Sequence, residues 1–200
     1  RVEELERSGP APYPFLQGLA EHESPIDLGL HIRGNPFELG DPVPRGFLAV
    51  LDGGKRRTFP SGSGRLDLAQ AIVEQPLAAR VIVNRVWLHL FGEALVRTPG
   101  NFGATGDRPS HPTLLDYLAV RLRQQNWSLK SLIREIVLSD TYQASADETP
   151  QALATDPGNR LFGRQNRRRL EAEAIRDAIL AVSGCLDPAV GGPSQPLGPD

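Results

Sequence analysis

The chain has 200 residues, a formal net charge of −2 and 40% hydrophobic residues, which is the composition of a globular protein rather than a disordered tail. This length allows one sizeable core, and the near-neutral charge gives no general attraction to nucleic acid or acidic membranes. The single cysteine, Cys185, excludes an internal disulfide framework and a cysteine-rich metal site, and no apolar run approaches the roughly 18 residues that a membrane helix needs.

Glycine and proline divide the chain into regions. Residues 1–64 hold 10 Gly and 8 Pro, whereas residues 65–140 hold only 4 of each, so helix is disfavoured in the first region and allowed in the second. We predict an entry segment or linker over 1–64, a helical domain over 65–187 and a flexible tail over 188–200. The chain begins at Arg1 without a methionine or an apolar leader, which predicts a piece of a longer product.

The entry segment carries one clear strand pattern. Its first 24 residues contain Pro10, Pro12 and Pro14, which favour an extended arm. Three apolar residues then alternate with polar residues or glycine, which predicts a short, half-buried strand. The three are Leu28, Leu30 and Ile32. Gly34-Asn35-Pro36 follows as a turn.

Apolar residues at helical spacing predict five helices in the second region. They cover residues 65–75, 77–91, 111–125, 129–137 and 168–183. Ser110 and Ser128 are predicted N-caps, Gly92 a C-terminal cap, and the helix over 77–91 is apolar enough to be central. The last helix is predicted to bury Leu170, Ala174, Ile175, Ala178, Ile179 and Val182, with Cys185 buried just beyond its end. The predicted fold is mainly α, a compact helical domain of about five helices with a short β-containing, Gly/Pro-rich N-terminal segment.

A series of short motifs occurs in a fixed order along the helical region. They are Arg80-Val81-Ile82-Val83-Asn84-Arg85-Val86-Trp87, Phe91-Gly92, Thr98-Pro99, Asn101-Phe102-Gly103, Pro109-Ser110-His111-Pro112, Leu114-Leu115-Asp116, Trp127-Ser128-Leu129-Lys130, Ser139 to Tyr142, Asp156-Pro157 with Asn159, and Arg167-Arg168-Arg169-Leu170, with Glu173 and Arg176-Asp177 after them. Together they resemble the C-terminal domain of unknown function of large planctomycete proteins, which usually carry a c-type cytochrome domain and a second uncharacterised domain upstream. The resemblance covers roughly 26–52 and 65–194.

This resemblance implies an exported protein of the bacterial envelope, periplasmic or extracellular, whose other domains are partners of this one. The chain has no Cys-x-x-Cys-His motif, so we expect no cofactor in it and place any haem c elsewhere in the parent protein. The family pattern continues past Gly191-Gly192-Pro193-Ser194, which implies a truncated domain. The resemblance assigns no activity, because the family is one of unknown function.

The helix predicted over 77–91 carries three polar candidates, Asn84, Arg85 and His89. Arg85 and His89 lie four residues apart and share a face of an apolar helix, which predicts that Arg85 is buried and needs a partner. One interpretation is an anion-binding face for a carboxylate or a sulfate-like group. The other is an internal salt bridge to one of four acids, Asp116, Glu135, Glu173 or Asp177. Arg80 and Asn84 form a second pair with the same two interpretations.

His111 lies between a serine and a proline at a predicted helix start. The positive end of a helix favours a neutral imidazole, which suits a base or a metal ligand. The alternative is a capping turn in which His111 bonds the backbone. The chain's four histidines have no close spacing, so no metal site is predicted.

Two further groups lie near the C-terminus. Glu173 and Asp177 are one helical turn apart, which suits either an acid/base pair or structural pairing with arginines. Residues 160–169 contain five arginines and no acid, which is the only nucleic-acid signal. The acidic helix that follows and the lack of exposed aromatics argue against nucleic acid, so an anionic polysaccharide is the better partner.

We therefore expect an accessory or binding module of an exported, cytochrome-associated multidomain protein, which contacts another domain or an anionic polysaccharide. Its predicted binding residues are Asn84, Arg85, Arg167, Arg168 and Arg169. The alternative is a hydrolase or lyase on polysaccharide. Its candidate catalytic residues are His89, His111, Glu173 and Asp177, with Arg85 as an anion clamp.

Overall fold

The computed structural model describes residues 18–189, and these form two compact units that divide between Ala79 and Arg80. The described residues contain six α-helices, two short 3-10 helices and one two-stranded sheet, so the predicted mainly α fold is confirmed. The proline-rich part of the predicted arm, up to residue 17, and the tail from residue 190 lie outside the described residues.

The sheet of the first unit pairs β1 (Gly29–His31) with β2 (Leu39–Pro42) in antiparallel register. This confirms the predicted strand, but the prediction that it is half-buried is wrong, because Leu28 and Leu30 are 65% and 61% exposed. Their side chains line an open groove of this unit rather than a closed core.

The small core of the first unit lies beside helix α1 (Arg65–Glu74), whose predicted bounds are confirmed. A bridge between Gly46 and Thr58 brings Phe47 and Phe59 to Ala71 on this helix. Gly64 precedes the helix with φ +78°, and a Cβ there would lie 2.9 Å from the Cβ of Phe59. The turn into α1 therefore requires glycine both for its backbone conformation and for its close packing.

The remaining helices are α2 (Pro76–Phe91), which crosses the boundary between the units, and α3 (Pro112–Gln124), α4 (Leu129–Val137), α5 (Pro150–Thr155) and α6 (Ala172–Val182). Helices α3 and α4 pack together in the second unit. The core of this unit consists of buried apolar residues. They include Val83, Trp87, Phe91, Leu95, Leu115, Leu118, Leu122, Leu132, Ile136 and Phe162.

Local sequence signals placed several helix ends correctly. Helix α2 ends at Phe91 and is followed by Gly92, which has φ +79°, and the Ser128 side chain accepts from the Ser131 N–H at the start of α4. The N-cap of α3 is His111 and not Ser110 as predicted, because the Ser110 N–H bonds the carbonyl of Leu95 and its hydroxyl bonds the His111 ring. The short helix α5 was not predicted.

The last helix departs most from prediction. It begins at Ala172 rather than 168, and none of its residues is buried. Its predicted inner residues are exposed, with Ile179 at 64% and Val182 at 92%, and Cys185 is exposed as well. Apolar periodicity shows which face of a helix is suited to burial, but it does not show that another element covers that face.

None of the helices within residues 18–189 combines the length and the apolar content that crossing a membrane requires.

Candidate functional site

Two of the three candidates on α2 lie on its exposed side. Asn84 is fully buried, and both ends of its amide are bonded to the backbone of Val96. Arg85 and His89 are exposed, so the prediction that Arg85 is buried is wrong. The helix buries only the side that carries Val83, Asn84 and Trp87, and Arg85 projects from the other side.

The acids expected to pair with Arg85 bond other residues or lie on the surface. Asp116 lies 3.2 Å from Nε of Arg80, and Glu135 lies 3.2 Å from Nη2 of Arg121. Within residues 18–189, Arg85 has no ion pair or hydrogen bond through its side chain. Its binding role remains a prediction that rests on exposure alone.

His111 is half-buried at the start of α3. Its Nδ1 lies 2.9 Å from the hydroxyl of Ser110, and its ring centroid lies 6.0 Å from that of Phe162. The side chain therefore makes a local contact with its neighbour and packs against an aromatic core residue.

Glu173 and Asp177 lie on the exposed helix α6. The Asp177 carboxylate has one weak ion pair, at 4.0 Å, with its neighbour Arg176. Among the described residues, no hydrogen bond or ion pair joins either acid to His89 or His111, and no three His, Cys, Asp or Glu side chains are grouped as a metal ion would require.

The predicted arginine stretch, by contrast, borders a cavity of about 340 Å³ in the second unit. We call this the arginine cavity. Its wall includes Arg164, Arg167 and Arg168 from the arginine stretch, and Gly92 and Glu93 from the end of α2. Arg169 is exposed and does not line it. The structure therefore brings two of the five predicted binding residues, Arg167 and Arg168, to one concave surface.

A tight turn over residues 156–162 builds one side of the arginine cavity. The Asp156 carboxylate accepts from the backbone N–H groups of Leu161 and Arg160, at 2.7 and 2.9 Å. These two bonds hold the pKa of Asp156 below its ordinary value, since they stabilise the charged form. The turn is thus fixed by an ionised side chain at neutral pH.

Asn159 links this turn by hydrogen bonds to the arginine stretch that follows it. It is 3% exposed, and its Nδ2 donates to the Arg164 carbonyl and to the Asn166 side chain, at 2.7 and 2.9 Å. The Arg164 guanidinium in turn donates to the carbonyls of Asp156 and Pro157. Arg164 is therefore part of the cavity's framework, and its hydrogen-bonding capacity is largely used.

Arg168 is also anchored by the end of α2. Its Nη1 donates to the His89 carbonyl at 2.5 Å, and its aliphatic part lies over Gly92, where a Cβ would be 2.6 Å from Cδ of Arg168. Asn166 donates to the Phe91 carbonyl at 2.9 Å. Two carbonyls of the helix terminus are thereby satisfied by side chains from the arginine stretch.

One cationic group on the cavity wall keeps free hydrogen-bonding capacity. The exposed guanidinium of Arg167 has no protein partner within the described range, whereas the unpaired side-chain oxygen of Gln165 is buried and out of reach of a ligand. Glu148 lines the same cavity, as does Glu93, which is 3.5 Å from Arg97. The cavity thus offers a cationic donor for an anion and nearby oxygens for hydroxyl donors.

Sequence reasoning did not assign the residues that build this cavity, Asp156, Asn159 and Asn166, to a site, although Asp156 and Asn159 belong to the motif series. Asp and Asn beside Pro and Gly, as in residues 156–159, are typical of turns in which short side chains bond the backbone. That signal identifies a turn, but it does not show that the turn meets the end of α2, some 65 residues earlier in the chain.

Fold and site together define a small, mainly α domain with a polar, arginine-lined cavity. A family model described as PSD1, a protein of unknown function (DUF1553), matches residues 64–198. The chain belongs to this family. No curated protein and no solved structure matches it.

Proposed function

We propose that this chain is a non-catalytic binding module that contacts an anionic polysaccharide through the arginine cavity. The observation that carries the proposal is the guanidinium of Arg167, which has no partner within residues 18–189 and lies on a concave polar surface that Glu93 and Glu148 also line. A site that presents both a cation and acceptors suits a sugar that bears a carboxylate or sulfate together with hydroxyl groups.

The anchoring of the neighbouring arginines supports this assignment. Arg164 and Arg168 are held by backbone carbonyls and form no salt bridge within residues 18–189, so their positive charge is fixed at the cavity. Arginine side chains that are already held in place lose little conformational entropy when a ligand binds, which favours recognition of an anionic group.

The enzymatic alternative has less support from the geometry. A hydrolase or lyase needs a base, an acid and a substrate cleft within hydrogen-bond reach of one another. Here His111 contacts Ser110, His89 is on the surface of α2, and Glu173 and Asp177 are on the surface of α6. No described interaction joins them, so a binding role accounts for the arrangement more simply.

We further propose that the parent protein is an exported, planctomycete-type multidomain protein that carries its haem c in another domain. The support is the resemblance of the motif series. This chain contains no Cys-x-x-Cys-His motif, so the proposal assigns the haem to another domain. Sequencing the complete gene, followed by a haem stain of the envelope fraction, tests this. A complete product without a haem motif would contradict it.

The binding proposal is tested by titrating the protein with polygalacturonate, dextran sulfate and uncharged dextran in a calorimeter. We expect one or both of the polyanions to bind and dextran not to bind. Removal of one charged hydrogen-bonding group typically weakens binding about tenfold or more, so Arg167→Gln should do so. The matched control is Arg134→Gln, which removes an exposed arginine of α4 outside the cavity.

The outcomes separate the alternatives. Equal weakening by Arg167→Gln and Arg134→Gln would indicate non-specific charge attraction and would contradict the cavity assignment. Binding of uncharged dextran with the same affinity would contradict the anionic ligand. Release of reducing ends from either polyanion would contradict the non-catalytic role and favour the hydrolase or lyase.

A further inference from the structure

The wall of the arginine cavity carries two acids, and the binding of a simple polyanion does not account for them. Glu93 and Glu148 line the cavity together with three arginines. The Glu93 carboxylate lies 3.5 Å from Nε of Arg97, so it has a counter-charge within the protein. Glu148 is exposed and has no ion pair or hydrogen bond through its side chain within residues 18–189. Its negative charge is therefore available to a ligand in the cavity.

The segment that carries Glu148 is anchored on both sides. Three residues earlier, the Ser145 carbonyl accepts from the Gln165 N–H at 3.0 Å, which links this segment to the arginine stretch. Immediately after Glu148, the Thr149 side chain caps helix α5 by accepting from the Ala152 N–H at 3.1 Å. These contacts hold the backbone of Glu148 at the cavity wall, opposite no other element that pairs with its carboxylate in the described range.

Arg167 is the corresponding cation without a partner. Its guanidinium is exposed, and no ion pair within residues 18–189 joins it to Glu148. The other two arginines of the wall, Arg164 and Arg168, donate to backbone carbonyls. A ligand with negative charges alone would pair with Arg167 but would bring like charges towards Glu148, which disfavours binding. A ligand that also carries a positive charge satisfies both residues.

We propose that the arginine cavity binds a zwitterionic polysaccharide, in which a sugar carboxylate pairs with Arg167 and the ammonium group of a nearby amino sugar pairs with Glu148. This inference rests on the proposed function and specifies the class of polysaccharide. Both contacts are charge-assisted hydrogen bonds, which are stronger than neutral ones. The cavity volume of about 340 Å³ is at the lower end of the range of ligand sites, roughly 300–1,000 Å³, which suits a short stretch of the polymer.

The test compares two polymers that differ in whether an amine is acetylated. Heparosan alternates glucuronate with N-acetylglucosamine, and N-deacetylated heparosan has the same backbone with free amines, which are protonated at pH 5.5. Affinities are measured by calorimetry in EDTA, so that no metal ion bridges carboxylates. An exposed ion pair typically contributes up to about fivefold in affinity, so we expect the N-deacetylated polymer to bind about threefold to fivefold more tightly than heparosan.

A matched pair of variants assigns this preference to one residue. Glu148→Gln keeps the size of the side chain and removes its charge, so the ratio of the two affinities should fall to about one. Glu38→Gln is the control, because Glu38 is an exposed acid of the first unit outside the cavity wall, and it should keep the wild-type ratio. Arg167→Gln should weaken the binding of both polymers.

The remaining outcomes separate this inference from the proposed function. If the wild type shows no preference for the N-deacetylated polymer while Arg167→Gln weakens the binding of both, the ammonium contact is wrong and the anionic site stands. A preference that survives Glu148→Gln would also overturn the inference, because another group would then recognise the amine. If neither polymer binds, the inference is overturned, and the titrations with polygalacturonate and dextran sulfate decide whether the proposed function stands.

Discussion

Asn84 bonds the backbone of Val96 with both ends of its side-chain amide, and so closes the loop that follows helix α2. Its Nδ2 donates to the Val96 carbonyl at 3.0 Å, and its Oδ1 accepts from the Val96 N–H at 2.8 Å. All of these groups are buried. A side-chain amide supplies a donor and an acceptor on two separate atoms, so Asn84 satisfies the N–H and the carbonyl of Val96 at the same time.

Replacing Asn84 with alanine should therefore destabilise the fold. The change leaves the N–H and the carbonyl of Val96 buried and unpaired, for which we expect a loss of about 2–4 kcal/mol in the free energy of unfolding. Urea denaturation followed by circular dichroism measures this loss.

The neighbouring residue provides the control for that prediction. Arg85 is exposed, and its side chain has no partner within residues 18–189, so Arg85→Ala should change the stability by less than about 0.5 kcal/mol. A buried ion pair at Arg85 would instead cost about 3–5 kcal/mol on substitution. Similar stabilities of the two variants would contradict the roles that we assign to Asn84 and Arg85.

Helix α2 also shows which structural features can be predicted from the sequence alone. Pro76 and Gly92 act locally, through a fixed φ and a positive φ, so the ends of this helix could be predicted from neighbouring residues. The side of the helix on which each of Asn84 and Arg85 lies could not be predicted in this way. It depends on where the loop carrying Val96 returns to the helix, and the polarity of the two residues gives no sign of this.

Asn159 combines a buried amide with a left-handed backbone, and two substitutions separate these contributions. Asn159 has φ +46°, a conformation that glycine adopts freely and alanine does not. Asn159→Gly should lose only the amide bonds, whereas Asn159→Ala should cost about 1–2 kcal/mol more because of backbone strain. Thermal or urea unfolding of both variants gives the difference. Equal stabilities would show that the turn over 156–162 relaxes when the amide is lost.

Glu135 is predicted to contribute stability that depends on pH. Burial acts to raise the pKa of Glu135, but hydrogen bonds from Arg121, Tyr117 and Gln125 outweigh it and hold the pKa below the ordinary 4.5. A lowered folded-state pKa means that the stabilisation is complete above about pH 4.5 and is lost as the pH falls through the folded-state value.

The substitution Glu135→Gln removes this titration. We expect the variant to be less stable than the wild type by about 1 kcal/mol at pH 7, the upper end for partly exposed ion pairs, and the two to converge as the pH falls below 4.5. Urea midpoints between pH 7 and pH 3 test this. A stability difference that stays constant over this range would show that Glu135 acts through packing rather than charge.

The position of the arginine cavity and the start of helix α6 could not be predicted from the sequence pattern, for different reasons. The arginine stretch is visible in the sequence, but its position against Gly92 depends on contacts between segments some 75 residues apart. The prediction that α6 begins at 168 failed because Arg168 is held beside the end of α2, which keeps the residues before Ala172 out of the helix. The spacing of apolar residues along the chain does not show such a competing contact.

Gly92 is the point at which the fold and the proposed site can be tested together. It has φ +79°, and a Cβ there would meet Cδ of Arg168 at 2.6 Å. Gly92→Ala should therefore cost about 1–2 kcal/mol of stability from the left-handed backbone, and it should displace Arg168 from the His89 carbonyl. If the arginine cavity binds polygalacturonate, the affinity for this polymer should fall several-fold in the same variant.

Gly163→Ala is the control, because a Cβ at Gly163 meets nothing within 4 Å, and it should leave both stability and affinity unchanged. A Gly92→Ala protein that loses stability but binds with full affinity would separate the two roles and would show that Arg168 does not contribute to binding.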